Sequence, residues 1–149
     1  MTTLYGHRGA KGVAPENTLA SFQACLDAGV TRCELDLRLS RDEQPIVIHD
    51  ADLKRLAGQK ARVKDCTAAE LAGYDVRHAG PAWPQPCPVP TLAEVFAACP
   101  FEHWQLEIKS LSRKRAVILI QAIAHLCEHY GLNDKVVLTS SSHTVLRAA

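Results

Sequence analysis

The sequence predicts an α/β fold with a mainly parallel sheet, because strand-like and helix-like stretches alternate along almost all of its 149 residues. Polar side chains also follow several of the strands at the point where each strand ends, which is typical of the catalytic rim of a parallel β/α barrel. A complete barrel of this type needs about 250 residues. We therefore expect a TIM-type β/α barrel with only about the first five strands present in this chain.

The first βα unit covers the first 29 residues. Residues 3–6 form a short apolar strand that leads into His7-Arg8-Gly9. Asn17 is a favourable N-cap residue, and apolar side chains follow it at helical spacing until Gly29, which is a common helix end. We expect a helix between these two residues.

The second and third strands follow. Residues 32–39 alternate strictly, with Cys33, Leu35 and Leu37 on one face and Glu34, Asp36 and Arg38 on the other. A polar turn over residues 42–45 leads to the β-branched run of residues 46–48, which ends at His49-Asp50.

Residues 51–90 are polar and contain clusters of Gly and Pro, so we expect a surface insertion with one short helix opened by the capping box Thr67–Glu70. A second capping box, Thr91–Glu94, opens a helix through Ala98. Residues 105–109 form a fourth strand, residues 113–130 a long amphipathic helix and residues 136–138 a fifth strand. We expect one domain over residues 1–149.

Composition excludes several classes of partner. The net charge is +1 without a basic cluster, so nucleic acid is not an expected partner. No apolar stretch approaches the ~20 residues that span a bilayer, so we expect no stable membrane anchor. The six cysteines form no C-x-x-C pair, and the amino terminus has no leader pattern. These features favour reduced thiols and a cytoplasmic location.

Two carboxylates on one strand face suggest a metal site. Glu34 and Asp36 would repel each other unless a cation lies between them. Oxygen ligands with no cysteine on the same strand face favour a hard ion, Mg²⁺ or Ca²⁺, over zinc, and Mn²⁺ is a further candidate. Glu107 on the fourth strand is a third carboxylate for the same ion. A lone Glu-x-Asp pair is more often a surface face, but here the opposite face is apolar.

Two histidines and two cations at strand ends suit phosphate chemistry. His7 and His49 end different strands, and each imidazole can exchange a proton near neutral pH. Arg8 and Lys109 can pair with phosphate oxygens. Each of these residues alone would more often be structural or a surface charge, so their predicted role depends on their convergence.

The sequence resembles the glycerophosphodiester phosphodiesterases of the cytosolic bacterial type, over the N-terminal part of their barrel. The resemblance covers essentially the whole chain and depends on five elements in the right order. They are His7-Arg8-Gly9, Pro15-Glu16-Asn17-Thr18, Glu34-Leu35-Asp36, Ile48-His49-Asp50 and Leu106-Glu107-Ile108-Lys109.

The resemblance implies hydrolysis of a glycerophosphodiester to sn-glycerol 3-phosphate and an alcohol, a step of lipid and glycerol metabolism. By this resemblance, one divalent cation is held by Glu34, Asp36 and Glu107, and the general acid/base pair is His7 and His49. The phosphate is bound by Arg8 and Lys109, and the site is supported by Glu16 and Asn17.

The chain also departs from the family pattern. The family usually has Gly at the turn position of Glu43, and strands six to eight of its barrel have no counterpart here. Since an incomplete barrel leaves strand edges unpaired, we expect that the chain is part of a longer protein or that it self-associates.

Two other functions remain open on the sequence alone. The chain could be a non-catalytic truncated domain that binds a phosphorylated ligand or a partner. Alternatively, His125, Glu128 and His129 match the H-x-x-E-H pattern of inverted zincins, which would make it a zinc peptidase. An exposed polar helix face is the simpler explanation of these three residues, because the two histidines lie opposite the apolar stripe of the predicted helix.

Overall fold

The computed structural model describes residues 2–149. Within that range it contains one mixed sheet of five strands and six α-helices. The strands are β1 (Gly6–His7), β2 (Arg32–Leu39), β3 (Pro45–Val47), β4 (His103–Ile108) and β5 (Val136–Thr139). The helices are α1 (Leu19–Asp27), α2 (Lys54–Ala57), α3 (Ala68–Leu71), α4 (Leu92–Ala98), α5 (Arg113–His129) and α6 (His143–Leu146).

Four of the strands lie side by side and run parallel, in the order β1-β2-β4-β5. The α/β fold with a mainly parallel sheet is therefore confirmed, and the sheet is part of a barrel. The strand predicted over residues 46–48 is present, but it does not extend the parallel series. It pairs antiparallel with the last three residues of β2.

The reversal of β3 has a simple cause in the length of its connection. Only residues 40–44 separate β2 from β3, whereas a crossover between parallel strands needs a dozen residues or more. The short turn therefore folds β3 back along β2. As a result, the sheet has four parallel strands rather than five, and His49-Asp50 lies beside β2.

Two predicted boundaries at the start of the chain are wrong. The first strand is Gly6–His7 rather than residues 3–6, because β2 pairs only with these two residues. The N-cap of α1 is Thr18, whose hydroxyl accepts the N–H of Ser21 at 3.2 Å. Asn17 instead has a left-handed backbone with φ of 54°, and its side chain points to the sheet.

Two apolar clusters hold these elements together. The larger packs the outer face of β2 and β4 against α1, α4 and α5, with Trp104 and Phe22 fully buried at its centre. The smaller gathers apolar side chains of residues 51–90 around Ile46 and Ile48. Because Ile48 directly precedes His49, the second cluster fixes the position of His49 relative to the sheet.

The capping boxes at Thr67 and Thr91 are both formed, and α4 and α5 end within a residue of their predicted ends. Within residues 2–149, no helix is long and apolar enough to cross a membrane. Along the parallel path, β1 and β5 each have one neighbouring strand, and Val137 of β5 is half exposed.

Candidate metal and phosphate site

Strand register brings the predicted site residues of the sheet together. His7 of β1 lies opposite Glu34 of β2, and Asp36 of β2 lies opposite Glu107 of β4. Glu34 and Asp36 share a face of β2, since side chains alternate along a strand. The three carboxylates each offer an oxygen, and these oxygens lie within 4.8 Å of one another. The acidic cluster that the sequence suggested is therefore assembled.

Asp36 is the most enclosed member of the cluster, with only 1% of its side chain exposed. Its Oδ2 accepts a hydrogen bond from Asn17 Nδ2 at 3.0 Å and lies 2.9 Å from Arg8 Nε. Its Oδ1 lies 2.9 Å from Lys109 Nζ, which also donates to Glu107 Oε1 at 2.6 Å. Burial opposes the charge of Lys109, but its bonds to Glu107 and Asp36 raise its pKa overall.

Glu34, unlike Asp36, is not paired with an arginine or lysine side chain in the described residues. Its Oε2 accepts the backbone N–H of Arg8 at 3.2 Å, while its Oε1 is buried and has no hydrogen-bond partner. Burial, followed by the charge of Asp36, raises the pKa of Glu34 to about 7. A buried, unpartnered carboxylate oxygen among three carboxylates is the environment that a hard divalent cation would stabilise, so these residues fit the predicted ion.

His7 lies beside this cluster at the end of β1. Its side chain is about half exposed, and Nε2 is 3.7 Å from Oε2 of Glu34. Burial of the ring, then the charges of Lys11 and Arg8, lower the pKa of His7. The neutral imidazole is therefore the favoured form near pH 7.

His49 is oriented by a chain of charged groups. Its Nδ1 is 2.8 Å from Oδ1 of Asp50, and Arg55 donates to both oxygens of Asp50 at 2.9 and 3.0 Å. The bonds from Arg55 lower the pKa of Asp50 to about 2, against partial burial and with help from His49. Asp50 is thus a carboxylate at neutral pH and fixes the Nδ1–H tautomer of His49, which leaves Nε2 available.

Glu16 connects the acidic cluster with the charged groups around His49. Its carboxylate accepts hydrogen bonds from Arg55 at 2.7 and 3.1 Å and from Arg8 at 2.8 Å. Although burial opposes its charge, these bonds lower the pKa of Glu16. Arg8 in turn contacts Asp36. One continuous network therefore links His49, through Asp50, Arg55, Glu16 and Arg8, to the acidic cluster.

The sequence motifs do not assign Asp50 or Arg55 to the site. A sequence signal was available for both, because Asp50 directly follows His49 and Arg55 is the first arginine after it. Arg8 and Lys109 are at the site, but both contact carboxylates. Within the described residues, Arg8 Nη2 has no protein partner.

The H-x-x-E-H residues lie elsewhere. His125, Glu128 and His129 are exposed on α5. Across residues 2–149, the acidic cluster of Glu34, Asp36 and Glu107 is the one group of metal-ligating side chains with converging atoms.

Comparison with known proteins gives a consistent family. Residues 7–147 match the model of the glycerophosphoryl diester phosphodiesterase family. A glycerophosphodiester phosphodiesterase of Bacillus altitudinis is 33% identical over 146 residues, which are 96% of this chain and 59% of that protein.

Solved structures agree. A glycerophosphodiester phosphodiesterase of Thermotoga maritima has a TM-score of 0.77 at 28% identity, over 98% of this chain and 57% of its own. A phosphodiesterase of Oleispira antarctica in complex with its product sn-glycerol-3-phosphate has a TM-score of 0.84 over 100% of this chain and 61% of its own. At 24% identity, the second likeness shows the fold alone. This chain thus spans about 60% of the length of these relatives.

Proposed function

Since the chain belongs to the glycerophosphoryl diester phosphodiesterase family, we propose that it catalyses, alone or as part of a longer protein, the hydrolysis of glycerophosphodiesters to sn-glycerol 3-phosphate and an alcohol. The observation that carries the proposal is the convergence of three carboxylates and His7 in register on parallel strands. Two cations directly after these strands contact Asp36, and His49 is connected through charged side chains.

One divalent cation, Mg²⁺, Ca²⁺ or Mn²⁺, would be held by Glu34, Asp36 and Glu107. When bound, it would offset the negative charge that develops on the phosphoryl oxygens. Arg8 and Lys109 hold the nonbridging oxygens of the same phosphate, Arg8 through its free Nη2. Asn17 keeps Asp36 in place by donating to its Oδ2.

The two histidines divide the proton transfers. His7, which is mainly neutral near pH 7, accepts the proton of the attacking hydroxyl, from water or from the glycerol moiety. Where the glycerol hydroxyl attacks, the alcohol leaves a cyclic phosphate, and water then opens this ring in a second step to give sn-glycerol 3-phosphate. As the phosphorus–oxygen bond to the alcohol breaks, His49 gives a proton from Nε2 to the departing oxygen. The contact of Nδ1 with the Asp50 carboxylate holds the His49 ring in one orientation for this step.

A single assay tests the proposal. Release of sn-glycerol 3-phosphate from glycerophosphocholine and glycerophosphoglycerol is measured with Mg²⁺, Mn²⁺ or Ca²⁺ and again after addition of EDTA. We expect EDTA to abolish turnover and His49→Ala to lower kcat by about 10²–10⁴-fold, as for loss of a general acid. His125→Ala is the matched control, because His125 is exposed on α5, and it should leave turnover unchanged.

The other outcomes are equally informative. Turnover that resists EDTA would remove the ion from the mechanism. Loss of activity in His125→Ala would favour a zinc site on α5. If no diester is hydrolysed while glycerol 3-phosphate still binds, the chain is a phosphate-binding module. The observation behind this alternative is that the sheet has four parallel strands and does not form a closed barrel.

We also propose that the open sheet associates, either with further sheet in a longer protein or with a second copy. The half-exposed Val137 on β5 supports this, since parallel sheets are normally covered. Size-exclusion chromatography with light scattering tests it, and a stable monomer of 16.3 kDa would refute both forms.

Location is the last part of the proposal. All six cysteines are buried and unpaired within the described residues, which supports a reducing compartment, and we place the protein in the cytoplasm. Detection of the protein in an oxidising compartment would contradict this.

A further inference from the structure

A basic cavity lies beyond the end of β2. Its volume is about 330 Å³, and residues from β2, from the 51–90 segment and from the start of α5 line it. The cations among them are Arg38, Arg62, Lys64 and Arg115, and two hydroxyls come from Ser110 and Ser112. The lining includes no aspartate or glutamate. The cavity therefore presents positive charge and hydroxyl donors together.

None of these four cations belongs to an ion pair in the described part of the chain. Arg38 and Arg115 are nevertheless held in place by backbone carbonyls. Arg38 Nε donates to the carbonyl of His49 at 2.8 Å, and Arg115 Nη2 donates to the carbonyl of Leu39 at 2.7 Å. Fixed guanidinium groups without a carboxylate partner are preorganised for an anion.

Three carboxylates lie close enough to act on the charge of Arg38, namely Asp36, Asp50 and Asp52. Each has a cation of its own elsewhere. Asp36 is paired with Arg8 and Lys109, Asp50 with Arg55, and Asp52 with Lys54. The carboxylates nearest Arg38 are therefore engaged by other cations, and an anion bound in the cavity would be the first direct ionic partner of Arg38.

Three residues that line the cavity are close neighbours in sequence of residues in the site described above. Arg38 lies two residues beyond Asp36 on the same face of β2, which is about 7 Å along a strand. Ser110 follows Lys109, and Ala51 follows Asp50. When a phosphodiester is bound by Arg8 and Lys109, an ester group that extends beyond the end of β2 would therefore meet this cavity.

We propose that this cavity binds an anionic head group, so that the preferred glycerophosphodiester carries a further phosphate or carboxylate on its alcohol. This inference rests on the proposed function and specifies its substrate class. A quaternary ammonium head group such as choline is disfavoured, because recognition of such a group uses aromatic faces and the lining has neither an aromatic ring nor a carboxylate.

The test compares three substrates that differ in head-group charge. They are glycerophosphocholine, glycerophosphoglycerol and glycerophosphoglycerol phosphorylated on its terminal hydroxyl. Loss of the phosphodiester signal in ³¹P NMR gives kcat/KM for each at low ionic strength. We expect the phosphorylated substrate to be the best and the choline ester the worst.

Variants then assign the preference to the cavity. The double variant Arg62→Gln/Lys64→Gln removes two exposed lining charges, and we expect it to lower the ratio of kcat/KM for the phosphorylated substrate over the choline ester about tenfold. The matched control, Lys60→Gln/Lys114→Gln, removes two exposed charges outside the lining. Its ratio should equal that of the wild type.

The proposal is overturned if wild-type protein prefers the choline ester, or if the control variant lowers the ratio as much as the cavity variant, since the effect would then be one of net charge. If no diester is hydrolysed at all, the proposed function fails separately. Calorimetric binding of glycerol 1-phosphate then tests the cavity. Weaker binding by the Arg62→Gln/Lys64→Gln variant than by its control supports it, and equal binding overturns it.

Discussion

Glu34→Gln should make the metal-free protein more stable above neutral pH. Glu34 is 10% exposed, and burial together with Asp36 raises its pKa from 4.5 to about 7. At about 1.4 kcal/mol per pKa unit, ionised Glu34 costs the folded state about 3 kcal/mol at pH 8. Glutamine removes the charge while keeping the size of the side chain and an oxygen for the N–H of Arg8.

The sign of the effect follows from proton binding. Because the folded state binds the Glu34 proton more tightly, the contribution of Glu34 to stability is fully present below pH 4.5 and is lost as the pH rises through about 7. The variant should therefore gain about 3 kcal/mol in free energy of unfolding at pH 8 with EDTA, but less than about 1 kcal/mol at pH 5.

Urea denaturation at these two pH values, with EDTA and then with millimolar Mg²⁺ or Ca²⁺, measures the effect. The ion should restore the stability of the wild type at pH 8, because it binds only the folded state, and should do little for Glu34→Gln. Glu128→Gln is the matched control, since Glu128 is exposed on α5. A Glu34→Gln variant that is no more stable than wild type at pH 8 with EDTA would refute the reasoning.

Two further predictions concern the charged network and a strained turn. Arg55→Met should lower the free energy of unfolding at pH 7 by about 1–2 kcal/mol, a value discounted for its exposure. The loss should shrink as the pH falls from 4 towards 2, because the pKa of Asp50 is lowered to about 2; a loss that does not depend on pH would contradict this. Glu43 has φ of 61°, so Glu43→Gly should raise the free energy of unfolding by about 0.5–1 kcal/mol, and Glu43→Ala should give no such gain. Equal thermal midpoints for the two Glu43 variants would exclude backbone strain there.

Local patterns predicted most of the elements because each pattern has a local cause. Strict alternation placed β2, and the capping boxes placed α3 and α4. The prediction of Asn17 as an N-cap is wrong because its residue type suits both an N-cap and a left-handed backbone. Its actual role depends on Asp36, which lies 19 residues away in the sequence and cannot be identified from local propensity.

The carboxylates were predictable because they end neighbouring parallel strands, so that register alone brings them together. The network behind His49 was not. Arg55 reaches Glu16 over 39 residues of sequence, and the antiparallel turn of β3 is what brings His49 to the sheet. Tertiary contacts of this kind carry no periodic signal, so only the structure identifies them.

The charge of the site gives a reason for ordered binding. Three carboxylates and the two cations that contact them carry a net formal charge of −1, which would repel a phosphodiester monoanion. With a divalent cation present the same side chains carry a formal charge of +1, and the phosphodiester is attracted. The ion would then weaken the attraction of the carboxylates for Arg8 and Lys109, so that both side chains become more available to phosphate oxygens. The contacts of Arg8 and Lys109 with Asp36 are therefore compatible with their proposed phosphate role, because the charge of the cluster determines which of the two partners they bind.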